Sequence, residues 1–145
     1  MANYLQYSAA EVVAQLLVDL GLATYNAAWP VFVANEPGVP DEVLTVYDTA
    51  ASDDGRTMPA GELEGQFGWQ IRARSRTHRA GWAKMDSIQR TFAESVYGRA
   101  VVIDGVTFVV HSLSRIGSVL PIGPESATSV RLIFTMNGFI AVEQT

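Results

Sequence analysis

Hydrophobic residues change their spacing along this chain in an order that few folds accommodate. A helical stripe comes first, with Val12, Val13, Leu16, Leu17 and Leu20 on one side. Three β-rich stretches follow, then a second helical stripe, then three more β-rich stretches. Strands therefore come in runs separated by a helix, not in strict alternation with helices. Strict alternation builds parallel units, whereas runs of strands pair with their neighbours antiparallel. The expected fold is α+β: a mostly antiparallel sheet with two helices packed on one face, in the order α-β-β-β-α-β-β-β.

The first helix has a defined start and stop. In Ser8-Ala9-Ala10-Glu11 the serine hydroxyl suits the Glu11 amide, and the Glu11 carboxylate reaches back to the Ser8 amide. Gly21 supplies a left-handed end, so the helix is expected at about 8–20. Val31-Phe32-Val33 and Val43–Tyr47 read as strands around a turn at Glu36-Pro37-Gly38-Val39-Pro40. Residues 48–64 are rich in Asp, Gly, Ser and Pro and read as a mobile surface loop. Between Gln66 and Ser75 the pattern alternates: Phe67, Trp69, Ile71 and Ala73 share one face, and Gln66, Gln70, Arg72 and Arg74 the other. The second helix is expected from about Thr77 to Val96, burying Trp82, Met85, Ile88, Phe92 and Val96, and Gly98 marks its end. Asp104-Gly105 between β-rich runs is a hairpin turn, since both residues tolerate positive φ. Ser112–Val119 continues the sheet with a bend, and Pro121–Pro124 reads as a turn. Val130–Met136 and Phe139–Val142 form a last strand with a break at Asn137-Gly138.

A length of 145 residues suits one domain. The charged fraction is 17%, lean beside the usual figure of about 25%, which leaves surface for a partner to cover. The net charge of −5 opposes general nucleic-acid binding, which needs a basic surface. The absence of cysteine removes disulfides, thiolate nucleophiles and Cys-based zinc sites together. Met1–Tyr7 lacks the basic start and apolar run of a signal peptide. Runs such as Val101–Ile103 and Val106–Val110 are too short to span a bilayer. A soluble protein with no membrane partner is expected.

No catalytic constellation stands out. The two histidines, His78 and His111, fall on different elements. Ser112 follows His111 in a strand, where neighbours point to opposite faces. Asp41-Glu42 and Asp53-Asp54-Gly55-Arg56 lack the alternating oxygens and twelfth-position glutamate of a calcium loop. Gly61, Gly65 and Gly68 open no helix, so they form no phosphate cradle. Glu62 and Glu64 share a face if the strand starts early, with nothing beside them to make an acid–base pair. No catalytic, cofactor-binding or metal-ligating residue is assigned, and the chain is read as a non-enzyme.

Arg72, Arg74 and Arg76 alternate along one strand, so all three point the same way, and Arg79 follows into the helix. Four of the ten basic residues of an acidic chain thus fall on one short segment. A solvated sheet face, a partner surface paired with carboxylates and contact with passing nucleic acid are the competing readings. Asp53, Asp54, Glu62 and Glu64 offer a complementary acidic edge on a neighbouring copy. A head-to-tail ring would bring the two edges together.

The chain also resembles a known family. The resemblance rests on the N-terminal apolar helix, Trp29-Pro30-Val31-Phe32-Val33, Leu44-Thr45-Val46-Tyr47-Asp48-Thr49, Phe67-Gly68-Trp69-Gln70-Ile71-Arg72-Ala73-Arg74, the helix over Ala80–Val96 and Val102-Ile103-Asp104-Gly105-Val106. In order and spacing these resemble the tail terminator and minor capsid (head–tail joining) proteins of long-tailed bacteriophages, across most of the chain. The sequence departs from them by a longer run between Pro121 and Ser129. The resemblance implies a virion protein, assembled in the bacterial host cytoplasm, that forms a hexameric ring on the end of the tail tube. Its implied partners are itself, the tail tube protein and a head-completion or neck protein, with nucleic acid present only by passage through the channel. A small α+β ligand-binding module or enzyme is the alternative, and a head-completion protein the alternative within the structural class.

Overall fold

The structure, a computed structural model, describes residues 5–56, 63–94, 96–127 and 129–145. In chain order the elements are α1 (Ala9–Asp19), β1 (Val31–Val33), β2 (Val43–Arg56), β3 (Leu63–Ser75), α2 (His78–Glu94), β4 (Arg99–Ile103), β5 (Val106–Pro124) and β6 (Leu132–Gln144). All six strands form one sheet in the order β1-β2-β3-β6-β5-β4. The β1–β2 pair is parallel and the other four pairs are antiparallel. The α+β fold and its element order are those the hydrophobic spacing predicts.

Both helices cover the same face. On that face Leu44, Val46 and Asp48 of β2 lie opposite Ala73, Ile71 and Trp69 of β3. These in turn face Phe134, Met136 and Gly138 of β6. Trp69 meets Phe92 of α2 edge to face, with centroids 5.9 Å apart. The apolar stripe of α1 (Val12, Val13, Leu16, Leu17) is buried in the same core.

Three side chains secure the start of α1. Ser8 and Glu11 exchange the two reciprocal bonds of the capping box. Asp48 of β2 takes a third orphan amide, accepting from Ala10 N at 2.9 Å. At the other end Gly21 (φ 75°) donates to Val18 O and Leu22 donates to Leu17 O, the paired bonds of a left-handed helix stop. Lys84 of α2 then ties this region down. Its Nζ donates to Leu22 O at 2.8 Å and lies 5.4 Å from the centre of the Trp29 ring. Burial lowers the Lys84 pKa, opposed by the charge of Glu42.

The structure corrects four expectations. Of residues 48–64, expected as a loop, 48–56 and 63–64 continue the sheet and 57–62 lie outside the described residues: β2 runs to Arg56 and β3 starts at Leu63, with register shifts after Thr49 and after Asp53. Polar composition misleads there because bulges accommodate residues that a regular ladder would not. Pro121–Pro124, expected as a turn, belongs to β5. Among the described residues β5 beyond Val110 pairs with β6 alone, and a strand with one free side tolerates proline. Asn137-Gly138 does not break β6. A Cβ at position 138 would overlap the Trp69 ring and the Ser114 carbonyl, so the glycine permits close packing. Finally, α2 buries Gly81 where Trp82 was expected to pack. Trp82 is exposed and stacks on His78, with ring centroids 6.1 Å apart.

Candidate assembly surfaces

Arg72 and Arg74 lie on the helix-free face of β3, opposite Thr45 and Val43 of β2 and Thr135 and Ile133 of β6. They do not form a free basic row. Arg74 is 2% exposed. Its Nη2 donates to Pro40 O at 2.5 Å and its Nε to Asp41 O at 3.3 Å. Its Nη1 lies 3.3 Å from Glu125 Oε2 and 4.0 Å from Glu36 Oε2. Arg72 Nε faces Glu36 Oε1 at 3.2 Å, an ion pair without the alignment of a hydrogen bond. Arg131, just before β6, donates to Gly38 O and pairs with Glu125 at 2.5 Å and with Asp41 at 3.7 Å.

Arg72 and Arg74 are therefore paired inside the chain. Their carboxylates are Glu36 and Glu125, and Asp41 adds its carbonyl to Arg74 and its carboxylate to Arg76 and Arg131. The alternation that reveals the arginines carries no information about these partners, because each lies in a loop. At the end of the row Arg76 stays on the surface, pairing with Asp41 at 3.5 Å, and Arg79 is exposed in the first turn of α2.

Of the expected acidic edge, Asp53 and Asp54 fall on β2 and Glu64 on β3, in the far part of the β2–β3 hairpin. Glu62 lies outside the described residues. The arginine row and this hairpin do not meet within the chain, since Arg72 and Arg74 pair with the other end of β2.

Sequence reading missed a third surface. Ile116, Leu120 and Ile122 of β5 are 57%, 59% and 58% exposed. They lie where β4 has ended, so one side of β5 has no strand partner among the described residues. The signal was present as Ser112–Val119 continuing a sheet, but edge position depends on strand order, which sequence does not give.

The histidines are engaged separately. His78 packs between Trp82 and Phe134. His111 Nε2 sits 2.9 Å from Glu143 Oε2, at a bulge between Val110 and Ser112. Among the described residues no group of three His, Asp or Glu side chains is placed to hold a metal ion. A cavity of about 310 Å³ opens between the end of α2 and β5, lined by Gln89, Phe92, Tyr97, Leu113 and Arg115 among others. Arg115 is committed there to Gln89 Oε1 at 3.0 Å and Gly117 O at 2.9 Å. No helix among the described residues is long and apolar enough to cross a membrane.

No known family model and no curated protein matches the chain. Among solved structures, a chain from the virion of a native gene transfer agent particle is similar at 13% identity. The match covers 78% of each chain with a TM-score of 0.44. A second solved chain is similar at the same identity and TM-score, over 78% of this chain and 79% of its own.

Proposed function

We propose that this chain is a structural protein of a phage-type virion that works by binding copies of itself and neighbouring virion proteins. In its sharper form, it is a tail terminator: a ring, of six copies as the family resemblance implies, that caps the tail tube and joins it to the head–neck region. The observation that carries the assembly reading is the line of exposed aliphatic side chains on β5. Exposed aliphatics along a strand that is open on one side need a cover, because such an edge otherwise recruits unintended partners. The lean charged fraction of 17% points the same way. The resemblance supplies the kind of assembly.

The cavity beside Arg115 is the feature that would serve a ligand-binding module instead. Native mass spectrometry over a wide concentration range, with and without magnesium, separates the two. The terminator reading expects a species of six 15.7 kDa chains. A monomer at every concentration, with a small molecule retained, would favour the module.

A further inference from the structure

We propose that the ring contact is an edge-to-edge sheet contact, in which the free side of β5 (His111–Leu120) receives the free side of β2 (Tyr47–Arg56) of a second copy. The inference rests on the ring reading above and specifies the surface that makes it.

The strand order places these two edges towards opposite ends of the sheet. β1 pairs with β2 only over Leu44–Val46, so beyond Val46 the outer side of β2 has no strand partner among the described residues. β4 pairs with β5 only over Val106–Val110, so from His111 the outer side of β5 has no strand partner among the described residues. Pro121 ends the usable length, since it has no N–H to donate. Each chain thus carries two open edges of matched length. Joining unlike edges gives a heterologous contact that repeats from copy to copy and closes when the rotation permits. Main-chain groups of the two edges supply the bonds, as in strand addition.

Charge selects this pairing over the others. Residues 106–124 contain no carboxylate, and Arg115 is their one full positive charge. Residues 47–56 carry Asp48, Asp53 and Asp54 against Arg56. A β2–β2 contact would bring acids together, and a β5–β5 contact would leave the acidic edge uncovered. Arg72 and Arg74 cannot serve as the basic partner, because Glu36 and Glu125 already pair with them inside the chain. Ile116 and Leu120 lie on the helix-free side of the β5 edge, opposite Asn137 and Thr135, where an arriving strand would cover them.

The chain has no cysteine, so introduced thiols report unambiguously. Ser112→Cys or Ser118→Cys on β5 is mixed with Thr49→Cys or Ala50→Cys on β2, and Ala83→Cys on α2 is the control. Disulfide capture requires Cα atoms within about 7 Å. The expected result is a mixed β5–β2 dimer at least about tenfold above either control pairing. In parallel, Leu120→Lys should raise the concentration needed for assembly at least about tenfold and leave the monomer's melting temperature unchanged. A ring that forms with edge cross-links at control level, and with Leu120→Lys assembling like the parent, would overturn the edge contact and leave the ring standing. Capture of β5 by β5 would overturn the head-to-tail arrangement. A parent protein that stays monomeric throughout would overturn both.

Discussion

Replacing Arg74 by methionine separates a surface arginine from a structural one. The side chain is 2% exposed and holds the carbonyls of Pro40 and Asp41 and the carboxylate of Glu125. Hydrogen bonds to charged groups contribute about 1.5–3 kcal/mol each, and breaking a buried pair by removing one partner costs about 3–5 kcal/mol. The full sum is not lost. Glu125 keeps Arg131, Glu36 keeps Arg72, and methionine fills much of the vacated volume. A net loss of about 3 kcal/mol follows. At about 3 °C per kcal/mol for a domain of this size, Arg74→Met should melt about 9 °C below the parent. Reversal to glutamate should cost more, since it sets a third carboxylate beside Glu36 and Glu125. Arg76→Met is the matched control. Its side chain is 62% exposed and that of its partner Asp41 41%, so about 0–1 kcal/mol is at stake. Thermal unfolding followed by circular dichroism reads both. An Arg74→Met protein melting within about 2 °C of the parent would refute the buried clamp.

Glycine-to-alanine in a helix interior ordinarily stabilises by about 0.5–1 kcal/mol, but a Cβ at Gly81 would overlap the buried Phe134 ring. Gly81→Ala should instead destabilise by about 1–3 kcal/mol in urea titration, and a stabilised variant would show that α2 does not pack this closely on β6. Hydrogen bonds from Gln89 and then Arg90 hold the Asp86 carboxyl below its ordinary value of 3.8. The stabilisation it gives is present above 3.8 and is lost as pH falls through the lowered value. Asp86→Asn should therefore flatten the acid limb of the stability–pH curve, and an unchanged limb would contradict the assignment. Asp104 and Gly105 form the β4–β5 turn at φ 47° and 81°. Gly105→Ala should cost about 1–2 kcal/mol, read by chemical denaturation, whereas a neutral result would mean that the turn relaxes to another type.

Local chemistry was legible where one short segment determines it. The Ser8–Glu11 box, the Gly21 stop, the Asp104-Gly105 turn and the alternation from Phe67 to Arg74 depend on residues a few places apart, and all appear as read. What was not legible depends on which strands become neighbours. The far halves of β2 and β3 look like loop because Asp, Gly and Ser disfavour an isolated strand. Pairing between them and the bulges within them override that preference. Pro121 reads as a turn until β5 is known to be open on one side. Arg74 reads as one of an outward-pointing row, open to solvent, a partner or passing nucleic acid, because alternation gives direction and not depth. Its burial comes from loops about 34 and 51 residues away in sequence, and no periodicity predicts that they fold over it. The cap from Asp48 to Ala10, across 38 residues, is of the same kind.

Negative-stain imaging of the purified protein at its highest attainable concentration tests the central claim most directly. Closed particles with six-fold symmetry and a central hole are the predicted result. Monomers or open filaments under every condition, in protein shown by circular dichroism to be folded, would contradict it.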